Sequence, residues 1–180
     1  MKTHILLLSL LSLTGHIAFA AVDVGRQTSA TPFDKYMGPV RAVHGRSGSN
    51  SPTLDEVRAD FRTARRFRYY FNAAEPYIPQ SPAVTEARQQ GDCKAKSVWL
   101  ASKMLDRNTR YVVGKAKLGS KISHAWLLWP NGGDWLFLDP TMEGDVLSAN
   151  QVAGRKLIMR YSYRGSTAYF HPTYSQYIRD

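Results

Sequence analysis

The 180-residue chain has a single cysteine, Cys93. One thiol closes no intramolecular disulfide, so no disulfide framework holds this fold. No CxxC or HxxxH spacing surrounds it, which argues against a zinc site. Carboxylates are also scarce, with 14 acidic against 24 basic residues and a net charge of +10. The chain carries no phosphate-binding glycine loop, no RNA-binding aromatic motif and no internal repeat. Nucleic acid is therefore a disfavoured partner despite the charge. The longest largely apolar run, Ile5 to Leu13, contains Ser9 and Ser12 and is too short to span a bilayer.

That run has a different use. Lys2 supplies a positive n-region, Ile5 to Leu13 an apolar core, and Ala18-Phe19-Ala20 a small-x-small cleavage pattern. Residues 1–20 are expected to be a signal peptide, and the mature protein to be exported, periplasmic or secreted. Without Lys2, 23 basic and 14 acidic residues leave a charge of +9. Such a surface suits anionic partners, an acidic envelope polymer among them, or simply confers solubility. Export also sharpens the question posed by Cys93. An unpaired thiol in an oxidising compartment pairs between chains, stays buried and inert, or is kept because it reacts.

Gly91-Asp92-Cys93 reads as a turn entering a helix. Asp92 is a good N-cap, and Gly91 can take backbone angles that a side chain would resist. Ala95, Val98, Trp99, Ala101, Ser102 and Leu105 then recur at helical spacing, so the helix should be largely buried. A thiol in the first turn faces the positive pole of the helix dipole, which favours thiolate. Asp92 opposes this, so a cation elsewhere must complete the activation.

Upstream, residues 21–52 are rich in Gly, Ser, Pro and Thr without a period and read as a flexible arm. Thr53 and Glu56 form a capping box. The helix that follows should bury Val57, Phe61, Ala64, Phe67 and Phe71 and turn an arginine-rich face outward. Pro76, Pro79 and Pro82 mark an extended crossing to the Cys93 helix. Beyond that helix the period becomes two, with strands at residues 111–117, 122–129, 134–138 and 156–164. On the last, Leu157, Met159, Tyr161 and Tyr163 should share one face. Residues 142–154 are mixed, and the aromatic tail from Tyr169 to Tyr177 should pack back on the sheet. Helices first and antiparallel strands after predict an α+β domain.

Of the three histidines beyond the leader, His44 lies in the arm and His171 in the tail. His124 lies on a strand, before the hairpin signal Pro130-Asn131-Gly132-Gly133. A two-residue Asn131-Gly132 turn, or a four-residue loop over 130–133, makes His124 face Asp139, Trp126 face Phe137 and Leu128 face Trp135. Facing residues have Cβ atoms about 4.5–5.5 Å apart, within reach of an imidazole–carboxylate bond. A three- or five-residue loop would shift that register. The pair is expected on the sheet face that meets the first turn of the Cys93 helix.

Gly91-Asp92-Cys93 opening a helix, His124-Ala125-Trp126 on a strand and Trp135-Leu136-Phe137-Leu138-Asp139-Pro140-Thr141 on the next resemble the transglutaminase-like superfamily of papain-related cysteine enzymes. The resemblance covers residues 91–141. It implies a helix packed on an antiparallel sheet, with Cys93 as nucleophile, His124 as base and Asp139 as the orienter of the imidazole. It places residues 53–180 in a transglutaminase-like domain. Members include cross-linkers, peptidases, deamidases and amide hydrolases, so the substrate stays open. Gln89 and Gln90 are candidates for a side-chain oxyanion donor. The expectation is thiol-dependent acyl chemistry on a protein or peptide amide, by hydrolysis, without cofactor or metal. Amine transfer that forms cross-links, and a non-catalytic binding domain of the same fold, are the alternatives.

Overall fold

The computed structural model describes residues 25–48, 51–71, 78–117, 119–152 and 157–172. The expected signal peptide lies outside them, as do Pro76 and the tail beyond residue 172. Among the described residues no helix is long and apolar enough to cross a membrane.

Among the described residues, nine strands and five α-helices make the α+β fold. The strands are β1 (Arg26–Thr28), β2 (Arg68–Tyr69), β3 (Gln90–Gly91), β4 (Arg110–Lys115), β5 (His124–Asn131), β6 (Asp134–Leu138), β7 (Leu147–Ser148), β8 (Ile158–Arg164) and β9 (Thr167–Phe170). The helices are α1 (Gly38–His44), α2 (Leu54–Arg66), α3 (Pro82–Arg88), α4 (Cys93–Met104) and α5 (Ala149–Val152). Seven strands form one antiparallel sheet in the order β1-β9-β8-β4-β5-β6-β7. β2 and β3 form a separate short parallel pair.

The central helix is α4. Ten of its twelve residues are buried, so it is apolar around most of its circumference rather than along one stripe. It is packed by α1, α2, α3 and β5. α2 begins at the expected capping box: the Glu56 N–H donates to Thr53 Oγ1 (3.3 Å) and the Thr53 N–H to Glu56 Oε2 (2.7 Å). Val57, Phe61 and Ala64 are buried along it. It stops at Arg66, one turn earlier than the pattern suggests. Phe67 therefore packs edge-on against Trp99, with ring centroids 4.7 Å apart, while Phe71 is off the helix and 47% exposed.

The segment expected to be a flexible arm is ordered over residues 25–48. β1 pairs with β9, and Met37, Val40 and Val43 are buried in the same core as α4. Their helical spacing was masked by the Gly, Ser and Pro around them, and the core extends upstream of Thr53. The proline crossing likewise contains a helix. Ser81-Pro82 starts α3 because proline is well tolerated at a first helical position.

The sheet carries apolar side chains on both faces. Tyr111, Val113, Ala125, Leu127, Trp129 and Tyr163 meet the helices. Val112, Trp126, Leu128, Phe137, Ile158 and Met159 form a second cluster with Val152 and Leu157. β8 does not keep the single face expected for residues 157–163. Val113 pairs with Tyr161 but Gly114 with Met159, so Arg160 is an extra residue and the alternation flips there. Gly114 permits the close approach, since a Cβ there would stand 2.0 Å from the Ile158 carbonyl oxygen.

Candidate active site

Asp92 caps α4: its Oδ1 accepts the Ala95 N–H at 3.0 Å. Cys93 follows as the first helical residue, buried and without a disulfide. Gly91 is needed for space rather than for unusual backbone angles. A Cβ there would come within 2.7 Å of the Ala95 Cβ.

The hairpin turns one residue later than expected. Asn131 pairs with Asp134, leaving Gly132 and Gly133 as the two turn residues at φ +58° and +92°. Positive φ at both positions is what a type I′ turn demands, and two glycines meet it without strain. The register is consequently displaced by two residues: Leu128 faces Phe137, and Pro130 faces Trp135. A shift of two preserves the face of every side chain. His124 and Asp139 are therefore diagonal rather than opposite, and His124 Nε2 lies 2.6 Å from Asp139 Oδ2.

Alternation gives both residues the parity of Trp126 and Phe137, whereas Ala125 and Leu127 face α4. The expected placement on the helix-facing side is thus corrected. His124 is the first residue of β5 and Asp139 follows the last of β6. His124 nonetheless lies close enough to the Cys93 thiol for that group to raise its pKa. Ser97 ties helix to strand nearby by donating to the Ala125 carbonyl at 3.3 Å.

Burial is the largest single influence on the His124 pKa and pushes it down. Hydrogen bonds to Asp139 and Cys93, with the charges of both, outweigh it and raise the pKa from 6.5 to about 10. Asp139 is 1% exposed and fully partnered. Its Oδ1 accepts the Thr141 N–H at 3.0 Å and the Thr141 hydroxyl at 2.7 Å. An Asp-x-Thr turn of this kind was readable in the sequence.

Two lysines behind the thiol are less legible. Lys94 and Lys96 are both buried. Lys94 forms an ion pair with Asp92 Oδ2. Lys96 donates to the carbonyls of Pro140 (3.2 Å) and Arg65 (3.3 Å), joining α4 to the end of α2 and to the residue after Asp139. Burial lowers its pKa. Gln89 donates its amide to the Glu86 carbonyl at 2.8 Å, and Gln90 Oε1 accepts from Arg68 at 2.5 Å.

A cleft of about 480 Å³ opens beside these groups, lined by Arg65, Phe67, Tyr69, Lys96, Pro140, Thr141, Met142 and Glu143. Burial, with Cys93, Asp92 and Asp139 nearby, pushes the Tyr69 phenol up to about 12, so it stays protonated at neutral pH. A smaller hollow of about 220 Å³, with Tyr70, Arg88, Gly91 and Asp92 in its wall, lies along Gly91-Asp92.

No family model matches the chain, and no curated protein matches it in sequence. Solved structures do share its fold. Legionella pneumophila LapG superposes with a TM-score of 0.55 at 17% identity, over 77% of each chain. This chain therefore shares the α+β fold of LapG. Calcium-bound LapG gives a TM-score of 0.55 at 17% identity over 79% of each chain. A Cytophaga hutchinsonii protein titled as a candidate cysteine protease gives 0.47 at 17% identity, over 77% of this chain and 48% of its own. His44 and His171 stand apart from the cleft: His44 Nδ1 accepts the Gly165 N–H at 3.1 Å, and His171 Nε2 lies 2.9 Å from Ser162 Oγ.

Proposed function

We propose that the protein is an exported, transglutaminase-like cysteine hydrolase that cleaves amide bonds of a protein or peptide. The observation that carries this reading is the chain of contacts from Cys93 through His124 to Asp139, beginning at the N-terminus of a buried helix.

Each group has a task. His124 takes the Cys93 proton, giving a thiolate–imidazolium pair. Asp139 engages Nε2, so Nδ1 is the ring nitrogen left for the thiol. Its carboxylate also stabilises the imidazolium charge, and Thr141 holds it in place. The thiolate attacks the amide carbon, and the developing oxyanion is met by the Cys93 backbone N–H, one of the helix-end amides without an intrahelical acceptor. The imidazolium protonates the departing amine, leaving a thioester. His124 then deprotonates water, which attacks the thioester and releases acid and free thiol. No cofactor enters these steps. The cleft between Tyr69 and Pro140-Thr141 accommodates the chain on one side of the scissile bond.

The basic surface supports an acidic partner, an acidic stretch of the substrate or an anionic envelope polymer. Arg62, Arg65 and Arg66 line a hollow of about 290 Å³, and Arg65 also borders the main cleft.

The experiment is a screen of peptide amides with wild type, Cys93→Ala and His124→Ala, quantifying amine release. Turnover by wild type that both variants lose supports the proposal. No turnover, with a Cys93 thiol no more reactive than free cysteine, returns the domain to a binding role.

A further inference from the structure

A carboxylate beside a nucleophilic thiol is an electrostatic obstacle. Asp92 is 3% exposed and one residue from Cys93. One of its oxygens is used in capping the helix. A buried anion there disfavours a second anion on the neighbouring sulfur. The dipole of α4 supplies only about half a positive charge at that end, and a full negative charge at the cap cancels it.

The remaining oxygen of Asp92 is held by Lys94, the residue on the other side of Cys93. The Lys94 side chain is 8% exposed and its ammonium lies 5.9 Å from the centre of the Phe71 ring. Among the described residues, the other titratable groups around the thiol are His124 from β5, Asp139 beyond β6, Tyr69 from β2 and Lys96 one turn along α4. Lys96 is spent on the Pro140 and Arg65 carbonyls. Lys94 is the cation in direct contact with the capping carboxylate.

Resting on the reading of Cys93 as nucleophile, we propose that Lys94 is a positioning residue for the thiolate. Its ammonium neutralises Asp92, so that the capped end of α4 still presents positive potential to the Cys93 sulfur. Capping and activation, which conflict when a carboxylate is the cap, are reconciled by one buried ion pair straddling the nucleophile. A buried ion pair contributes little net stability, and its value here is electrostatic.

Because Cys93 is the chain's one thiol, iodoacetamide alkylation reads it without background. Its rate is measured across pH for wild type, Lys94→Met, Lys94→Arg, Asp92→Asn and the double variant Asp92→Asn/Lys94→Met. Lys94→Met should raise the pH midpoint by about one unit, an about tenfold slower reaction on the acid side. Lys94→Arg should restore it, Asp92→Asn should lower it, and the double variant should return close to wild type. A packing role for Lys94 predicts instead a double variant as impaired as Lys94→Met. Should Lys94→Met fail to fold, Asp92→Asn and the double variant carry the same comparison. A reactive wild-type thiol whose midpoint none of these variants moves overturns the proposal alone. An unexceptional wild-type thiol, indifferent to His124→Ala, overturns the nucleophile reading and this proposal with it.

Discussion

Asp139 lies diagonally across the β5–β6 hairpin from His124, and its Oδ2 stands 2.6 Å from His124 Nε2. The diagonal has a consequence for how the pair is held. A directly facing pair is fixed by the ladder alone, whereas a diagonal one depends on side-chain reach and on what anchors each end. Asp139 is anchored by two donors from Thr141 on its other oxygen. The carboxylate is therefore held by contacts that do not involve the imidazole.

The raised His124 pKa gives the first prediction, a pH profile. The imidazolium persists until about pH 10, so the alkaline limb of kcat/KM should fall near 10 rather than near 6.5. Stability follows the same sign. A pKa raised on folding means the stabilisation is complete below 6.5 and is lost as pH climbs through about 10. Asp139→Asn keeps the size but removes the charge, so the alkaline limb should move down and kcat/KM should fall by about 10²-fold or more. An alkaline limb that stays in place in Asp139→Asn would show that Asp139 does not support the imidazolium.

The second prediction concerns His44, 6% exposed in the helix that the composition had disguised as an arm. Burial lowers its pKa from 6.5 to about 4. As pH falls, the unfolded chain takes up this proton first. Stability is full above 6.5 and is lost as pH drops to about 4. The loss should be about 3 kcal/mol in urea titrations at pH 7 and pH 4. His44→Gln, which can still accept the Gly165 N–H, should remove most of that difference. Equal losses in wild type and variant would assign the acid sensitivity to other groups.

What the sequence made legible follows a physical divide. Short-range rules were reliable: the capping box at Thr53 and Glu56, the N-cap at Asp92, and the span of β6 all depend on neighbouring residues. The juxtaposition of His124 and Asp139 was legible because strand parity survives a register error of two. The register itself was not, since Asn131-Gly132 and Gly132-Gly133 are both acceptable turn pairs and the choice depends on the flanking ladder. Phe71 and the β8 bulge failed for a related reason. A periodic pattern does not say where a helix stops, nor that Gly114 across the ladder makes room for an extra residue. Nothing in the sequence marks Lys94 and Lys96 as buried, because only the fold reveals the Asp92 carboxylate and the Pro140 and Arg65 carbonyls that they meet.

Gly91 supports a third prediction, about the placement of the thiol. Gly91→Ala puts a methyl 2.7 Å from the Ala95 Cβ in the first turn of α4. Overpacking of this kind costs roughly 1–3 kcal/mol, and the relief available is a shift of that turn. Activity should therefore fall more than stability alone explains. Ala95→Gly costs about 1 kcal/mol by itself in a helix interior but vacates the contested space. The double variant should recover turnover relative to Gly91→Ala while remaining less stable than wild type. Thermal melts and kcat measured together on the three variants decide this. Additive losses in the double variant would mean that the two residues do not compete for space.

The last prediction concerns what resolves the thioester. Water and an amine compete for the same acyl-enzyme, and an amine wins only where the site orients it and excludes water. Lys94 and Lys96 are buried and engaged, so they play little part in repelling an incoming ammonium. The cations that matter are on α2. Arg62 and Arg66 are exposed beside Arg65, whose guanidinium reaches the Gly144 carbonyl at the edge of the cleft. A lysine side chain approaching from this side meets like charge, whereas hydroxylamine, neutral at pH 7, does not. Hydrolysis should therefore dominate with a lysine analogue, while hydroxylamine should divert a measurable share of product into hydroxamate. Arg62→Glu/Arg66→Glu should increase capture by the lysine analogue several-fold, leave capture by hydroxylamine unchanged, and raise KM for acidic peptides. Mass spectrometry of the products separates acid, lysine adduct and hydroxamate in one reaction. If the lysine adduct already dominates in wild type at modest amine concentration, amine transfer is the reaction, and the α2 arginines serve the acyl donor rather than exclude the acceptor.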